Sequence, residues 1–253
     1  MLKTERQEKI MQILEENNTM RVSALADALN SSMMTIRRDL DDLEQENKVR
    51  KVHGGVLIVK PDNNQPSFSE RIEEFTKEKI RIAKAAVKHI EEGSVVFFDS
   101  GTTTLHVAKC LSNDISFTAI TNGLMTATEL SKKPYINVIM LGGEIHHSSF
   151  SAVNNIAIEQ AARFNADLAL ISTKALSIPE GLFEPLLPLI EIKKSLVSAS
   201  KKVVLLADYS KFESKALCLS IPLSEIDEII TDSRIPGDTV RELEDLDIKV
   251  TVV

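Results

Sequence analysis

The sequence predicts an α/β protein in two parts, an N-terminal winged helix-turn-helix domain over residues 1–59 and a larger, mainly parallel-sheet domain over 69–253. Three observations carry that prediction. Residues 1–60 hold three apolar stripes of helical spacing, then two short strands around a glycine pair. Residues 69–253 alternate short, almost wholly apolar segments with helical ones, the pattern of a sheet covered on both faces. Between them, Lys60-Pro61-Asp62-Asn63-Asn64-Gln65-Pro66-Ser67 has two prolines and no apolar side chain, so 60–68 reads as a linker.

In the first part, Thr4 with Gln7 three residues on suits a capping box, and Ile10, Ile13 and Leu14 form the stripe of a helix that Asn17-Asn18 ends. Met20-Arg21-Val22 is extended. Ser23 suits the cap of a second helix with Leu25, Ala28 and Leu29 inward. Asn30-Ser31 breaks it, and Ser32 caps a third helix over about 33–46, with Ile36, Leu40 and Leu43 inside. The helix-turn-helix thus spans about 20–39. Val49-Arg50-Lys51-Val52-His53 then alternates apolar and basic residues, Gly54-Gly55 turns, and Val56-Leu57-Ile58-Val59 returns as the second strand of a wing.

The third helix opens with Ser32, Met33, Met34 and Thr35 and then presents Arg37 and Arg38. Short or flexible side chains at a helix N-terminus allow approach to base edges, while arginines and backbone amides hold phosphates. Lys48, Arg50, Lys51 and His53 extend the cationic surface along the wing. The competing reading is a solvated helix whose arginines pair with Asp39, Asp41 and Asp42.

Charge bears on that choice. The chain of 253 residues is 26% charged and 43% hydrophobic, which excludes long disorder, and its formal charge of −7 argues against nucleic acid as a partner. Residues 1–60, however, hold ten basic and ten acidic side chains; by subtraction from 30 and 37 the rest holds twenty and twenty-seven. The deficit lies wholly in the second part, so DNA binding depends on the first and falls steeply with salt. Cys110 and Cys218 lie in apolar surroundings without CxxC spacing, which fits a reducing compartment. With no secretory signal after Met1 and no apolar run of membrane length, the expected location is the cytoplasm, with no membrane partner.

In the second part a long helix capped by Ser69 runs to about residue 92. Strands are expected at 94–99, 117–121, 136–141, 167–172, 203–208, 228–231 and 248–253, with helices near 103–111, 123–132, 153–164, 190–200 and 237–246. Ligands of such sheets bind beyond the carboxyl ends of the strands. Those ends read Asp99-Ser100-Gly101-Thr102-Thr103-Thr104, a small-residue turn opening a helix whose amides and hydroxyls can hold a phosphate; Thr121-Asn122-Gly123; Gly142-Gly143-Glu144; and Asp208 with Lys211, a carboxylate for hydroxyls and a cation for phosphate. All are expected on one rim.

Adjacent His146 and His147 on a strand point to opposite faces, so with Glu144 they suggest no metal. No metal or cofactor is expected. His89 and His106 read as helix residues without partners, Phe97, Phe98 and Phe164 as core, and Cys110 as inert.

Thr35-Ile36-Arg37-Arg38-Asp39-Leu40, Leu43-Glu44 and His53-Gly54-Gly55 resemble the N-terminal signature of the DeoR family of bacterial transcriptional regulators. The resemblance continues through Asp99-Ser100-Gly101-Thr102-Thr103-Thr104, Gly142-Gly143-Glu144 and Ala207-Asp208-Tyr209-Ser210-Lys211-Phe212, and covers nearly the whole chain. It implies a repressor of a carbohydrate operon, with double-stranded operator DNA and a phosphorylated sugar as partners, the sugar being an allosteric effector. It implies an effector domain similar to the ribose-5-phosphate isomerase and CoA-transferase superfamily. A single wing and helix make a small footprint, so a homodimer or homotetramer is expected, with 250–253 as one assembly surface.

Two other readings stand beside it, an active sugar-phosphate isomerase and a sugar-phosphate sensor acting through protein partners. Isomerase chemistry needs a carboxylate base, and the acid-rich loop of such isomerases is replaced here by Ser172-Thr173-Lys174-Ala175, leaving Glu144 or Asp208. The chain also departs from the regulator pattern at Asn154-Asn155, at Leu189 in place of a family glutamate, and in the apolar loop 183–189.

Overall fold

The computed structural model describes every residue except 1, 2, 18, 46, 47, 53, 54, 59–65, 213 and 215, and no side chain for 15, 16, 45, 50 and 58. The chain forms two compact units, Met1–Gln65 and Pro66–Val253.

The first unit begins with α1 (Lys3–Asn17), β1 (Thr19–Met20), α2 (Val22–Ala28) and α3 (Met33–Gln45), followed by β2 (Val49–Val52) and β3 (Gly55–Ile58). Ile10 and Leu14 of α1, Leu25 of α2, and Ile36, Leu40 and Leu43 of α3 close one core with Val49 and Val56 of the hairpin. Several caps differ from expectation. Thr4 lies inside α1 rather than capping it, and Gln7 instead donates to Asp42 at 3.3 Å. Arg21, not Ser23, occupies the N-cap of α2, and Ala26 takes the buried place expected of Ala28. Ser32 does cap α3, accepting from the Thr35 amide at 3.2 Å. The segment expected to be extended at 20–22 shifts: the strand is Thr19–Met20, and Val22 already lies in α2, giving the order β1-β3-β2. Gly55, expected in the turn, opens β3, and only glycine fits there, since a Cβ would meet the Met20 carbonyl oxygen at 2.8 Å.

The second unit starts with α4 (Phe68–Glu73) and α5 (Thr76–Ala86), not one long helix. Ser67, rather than Ser69, is the cap: it forms a reciprocal capping box with Glu70. The helix breaks where Phe75 takes φ 52°, its ring edge-on to Tyr209 at 5.5 Å. Then follow β4 (Val95–Phe98), α6 (Thr102–Cys110), β5 (Phe117–Thr121), α7 (Leu124–Leu130), β6 (Ile136–Met140), the hairpin β7 (Glu144–His146) and β8 (Ser151–Val153), and α8 (Asn155–Ala161). Next come β9 (Leu168–Ile171), β10 (Ala175–Ser177), β11 (Gly181–Glu184), α9 (Leu187–Ser198), β12 (Val203–Leu206), β13 (Cys218–Pro222), β14 (Glu228–Thr231), α10 (Gly237–Glu244) and β15 (Lys249–Val252).

Seven strands, all parallel, form the sheet β15-β14-β12-β9-β4-β5-β6. They are the seven the sequence predicts. Two-residue alternation sends fully buried Phe97 and Phe98 to opposite faces, where each contributes roughly 2–3 kcal/mol of burial. Helices α8, α9 and α10 cover one face and α5, α6 and α7 the other. The β7-β8 hairpin and the small antiparallel sheet β10-β11-β13 are additions that periodicity did not reveal. Among the described residues no helix is long and apolar enough to cross a membrane.

The strand order matters most for function. From β4 the chain runs outward through β5 and β6, then returns to β9 on the other side of β4 and runs outward again. The carboxyl ends of β4 and β9 therefore flank a topological switch point, where open parallel sheets hold ligands.

Candidate nucleic-acid interface and effector site

On α3, successive residues turn by about 100°. Asp39 therefore faces α1, 2% exposed, and takes two hydrogen bonds from Arg6, while Asp42 receives Lys3 at 2.8 Å. Asp41 receives Lys51 at 2.5 Å. The three acids that would have neutralised Arg37 and Arg38 are thus engaged elsewhere. Both arginines are exposed and, among the described residues, form no ion pair or side-chain hydrogen bond. Met33 and Met34 beside them are 52% and 62% exposed, and Ser32 and Thr35 share a hydroxyl contact of 2.9 Å at the helix start.

One of the wing's cations turns back onto the third helix. Lys51 pairs across the hairpin with Val56, on the side facing α3, and is bound by Asp41 and by Glu44 at 2.9 Å. Lys48 is exposed and also engaged with a neighbour. His53 and Gly54 lie outside the described residues, as does the Arg50 side chain.

In the second unit, Asp99 is the hinge of the switch point. Its Oδ2 accepts from the Ser172 amide and hydroxyl, both at 3.1 Å, and its Oδ1 from the Ser100 amide at 2.8 Å. Lys193, 4% exposed on α9, reaches Asp99 at 3.3 Å, Glu184 and the Ser172 carbonyl. Burial pushes the Glu184 carboxyl up against the opposing pull of Lys193. Lys193 thus ties the Glu184 carboxylate of β11 to Asp99 and to the Ser172 carbonyl. Gly101 permits the closure, since a Cβ there would lie 1.8 Å from the Ser172 hydroxyl oxygen.

The threonine loop divides its labour. Thr104 gives its hydroxyl to the Asp99 and Gly101 carbonyls at 2.6 and 2.7 Å, a structural use. Thr102 and Thr103 are buried, and among the described residues their hydroxyls make no hydrogen bond; Gly101 leaves the start of α6 without a side-chain cap. Thr121 is also structural, donating to the Phe98 carbonyl at 2.7 Å and accepting from the Gly123 amide. Fully buried Asn122 gives its Nδ2 to Ala152 at 3.4 Å, while its Oδ1 has no partner.

Gly142, Gly143 and Glu144 sit at the β6 edge. The Gly142 amide donates to Gln160 at 2.8 Å, and a Cβ on Gly143 would meet the Val153 carbonyl at 2.5 Å. The exposed Glu144 carboxylate makes no bond among the described residues. Asp208, 0% exposed, caps the turn 209–211 through Oδ1; its Oδ2 lacks a hydrogen bond and lies 3.8 Å from the Lys211 ammonium. No group of three metal-ligating side chains forms among the described residues.

The two units correspond to two family models. Residues 6–62 match a DeoR-like helix-turn-helix domain and residues 74–233 a DeoR C terminal sensor domain. The chain belongs to the DeoR family of transcriptional regulators. It is 34% identical over 253 residues to an uncharacterised HTH-type regulator of Bacillus subtilis strain 168, covering 100% of this chain and 98% of the relative. The regulator GolR of Listeria innocua is 33% identical over 248 residues, covering 98% of each chain. The glycerol-3-phosphate regulon repressor of Escherichia coli K12 is 28% identical over 250 residues, covering 99% of each. Among solved structures, ribose 5-phosphate isomerase A of Neisseria gonorrhoeae overlaps 54% of this chain and 53% of its own at 16% identity, with a TM-score of 0.40.

Sequence reasoning about this DeoR regulator missed Arg71, Lys79, Lys174, Glu184 and Lys193. No spacing links them; strand order does. One signal was legible: Lys79 lies on the same helical stripe as buried Ile82, Ala83 and Ala86, and Lys193 stands between buried Ile192 and Leu196. A lysine on an apolar face is buried with a purpose. Burial pulls the Lys79 ammonium down to about 8 against the pull of Asp208. His89, expected without a partner, reaches buried Glu228 at 3.4 Å, and His106 Nδ1 bonds the Thr102 carbonyl at 2.8 Å. Cys110 and Cys218 are free and half-buried, and burial pushes the Cys110 thiol up.

Proposed function

We propose that this DeoR-family regulator is a repressor of a carbohydrate-utilisation operon in the cytoplasm, and that a phosphorylated sugar sets its operator affinity. The observation that carries the DNA half is the free, outward pair Arg37 and Arg38 beside acids committed elsewhere. In this reading Ser32, Met33, Met34 and Thr35 approach base edges, the arginines hold phosphates, and Lys48, Arg50 and His53 extend the contact, with Lys51 bracing the wing.

The effector half is supported by the uncapped start of α6 at the switch point, with the unbonded Thr102 and Thr103 hydroxyls and Lys211 nearby in the sheet order. Asp99, Ser100 and Gly101 shape the loop, and Asn122 and Asp208 offer carbonyl and carboxylate oxygens to sugar hydroxyls. Gly142, Gly143 and Glu144 complete the rim from the β6 side, and Thr104 and Thr121 hold its backbone. Relatives named as a glycerol-3-phosphate regulon repressor and a putative aga operon repressor favour a phosphorylated carbohydrate. Control follows by linkage: the effector must bind DNA-competent and DNA-incompetent arrangements unequally. Two copies on one operator supply the specificity that one wing cannot.

The test is a fluorescence titration of the full chain against its own upstream DNA, repeated with pentose and hexose phosphates. Salt-dependent binding altered by one phosphate is expected. Binding with no salt dependence overturns the DNA half; a response unchanged in Thr103→Ala and Lys211→Ala overturns the pocket. The same mixtures report isomerase turnover, and none is expected.

A further inference from the structure

Lys174 lies three residues beyond the end of the switch-point strand β9, in a loop whose backbone is held on either side of it. Ser172 is bonded to Asp99, and the Thr173 hydroxyl donates to the Ala175 and Phe183 carbonyls at 2.8 and 3.2 Å. Yet among the described residues its half-buried ammonium makes no hydrogen bond and no ion pair. The strand after it, β10, packs on the turn that carries Lys211. Arg71 on α4 lies over the Phe68 ring at 5.4 Å and donates through Nη2 to the Ser148 carbonyl at 3.1 Å, while its buried Nε has no partner.

These cations feel one another. Burial lowers Lys174, and the charges of Lys211 and Arg71 lower it further, opposed by Glu74 and Glu184. Burial lowers Arg71, opposed by Glu184, Glu74 and Asp99. Around the switch point, Arg71, Lys79, Lys174, Lys193 and Lys211 thus face the three buried carboxylates Asp99, Glu184 and Asp208, with exposed Glu74 at the margin. Two positive charges are left without a buried counter-charge. Holding them there disfavours the free protein, and structures keep such groups where a ligand supplies the missing charge.

We infer that Arg71 and Lys174 are effector ligands which, with Lys211, receive the phosphoryl group and select for its double negative charge. The inference rests on the reading of this crevice as the effector site. It adds a charge criterion to that reading: a phosphate monoester is favoured over an ester of the same shape bearing one charge. It also places one ligand, Arg71, on the first helix after the linker.

Calorimetric and thermal-shift titrations of the full chain test it, using inorganic phosphate, hexose and pentose monophosphates, a hexose sulfate ester and the free sugars. For the wild type, one monophosphate should bind at least about 10-fold more tightly than the sulfate ester and free sugar, a difference one well-placed charged contact supplies. Lys174→Met and Arg71→Met should each weaken that phosphate about 10-fold or more and shrink the preference over sulfate, while Lys109→Met on the exposed side of α6 should not. The free Lys174→Met protein should melt at the wild-type temperature or higher, because it loses an unpaired charge. Wild-type affinity and selectivity in Lys174→Met overturn the inference while leaving the effector site standing, as does a lower melting temperature that accounts for the weaker binding. A wild type that binds none of the panel overturns the site itself and the inference with it.

Discussion

Arg6 on α1 and Asp39 on α3 are joined by two hydrogen bonds, Nε to Oδ2 at 2.5 Å and Nη2 to Oδ1 at 3.1 Å. This fork couples the first helix to the third and removes Asp39 from the surface that Arg37 and Arg38 occupy. Asp39→Asn keeps the shape but loses the charge that Arg6 faces. The expected result is a lower melting temperature for the N-terminal unit with the second unit unchanged, read from separate transitions in calorimetry. A single unchanged scan would mean the fork adds nothing.

Arg37→Ala and Arg38→Ala are each expected to weaken operator binding about 10-fold at moderate salt and to reduce the slope of log affinity against log salt by about 0.9. Far-ultraviolet circular dichroism should be unchanged, since both side chains are exposed and unpaired among the described residues. Lys51→Ala provides the contrast. Bound by Asp41 and Glu44, it should leave the salt slope nearly unaltered and lower the melting temperature instead.

Gly101→Ala places a methyl group 1.8 Å from the Ser172 hydroxyl oxygen. The β4 and β9 loops must part, at a cost of about 1–3 kcal/mol, and the Ser172 bonds to Asp99 loosen. Operator binding without effector should persist while the effector response falls. Ser172→Gly in the same chain makes room and should restore part of the lost stability, measured by urea denaturation.

Glu228 anchors the opposite end of the sheet. Burial pushes its carboxyl up, but hydrogen bonds from Lys202, Thr251 and Lys249 outweigh that and bring it down to about 2. Its folded pKa lies below the unfolded value of about 4.3, so the stabilisation is present above that value and lost as pH falls toward 2. Glu228→Gln should cost on the order of 2 kcal/mol at neutral pH and flatten the acid limb of the stability curve, because Lys202 and Lys249 lose their shared carboxylate. Chemical denaturation from pH 7 to pH 2 measures both.

What the amino-acid sequence determined alone is whatever depends on neighbours along the chain. Ile36, Leu40 and Leu43 mark the face of α3, the seven apolar runs become the seven strands of one sheet, and Ser32 caps its helix, because periodicity and caps act within a few residues. The family signature was readable for the same reason. The tertiary structure decided which partner each polar group meets. Asp39 turns to Arg6, Lys51 to α3, Phe75 breaks a helix against Tyr209, and Lys193, itself held by Glu184, reaches Asp99 from a distant segment of the chain. The meeting at Asp99 follows from the return of the chain to β9 beside β4, and strand order is set by burial summed over the whole sheet rather than by any local string. The crevice proposed for the effector lies at that return, so its loop was legible and its lysines were not.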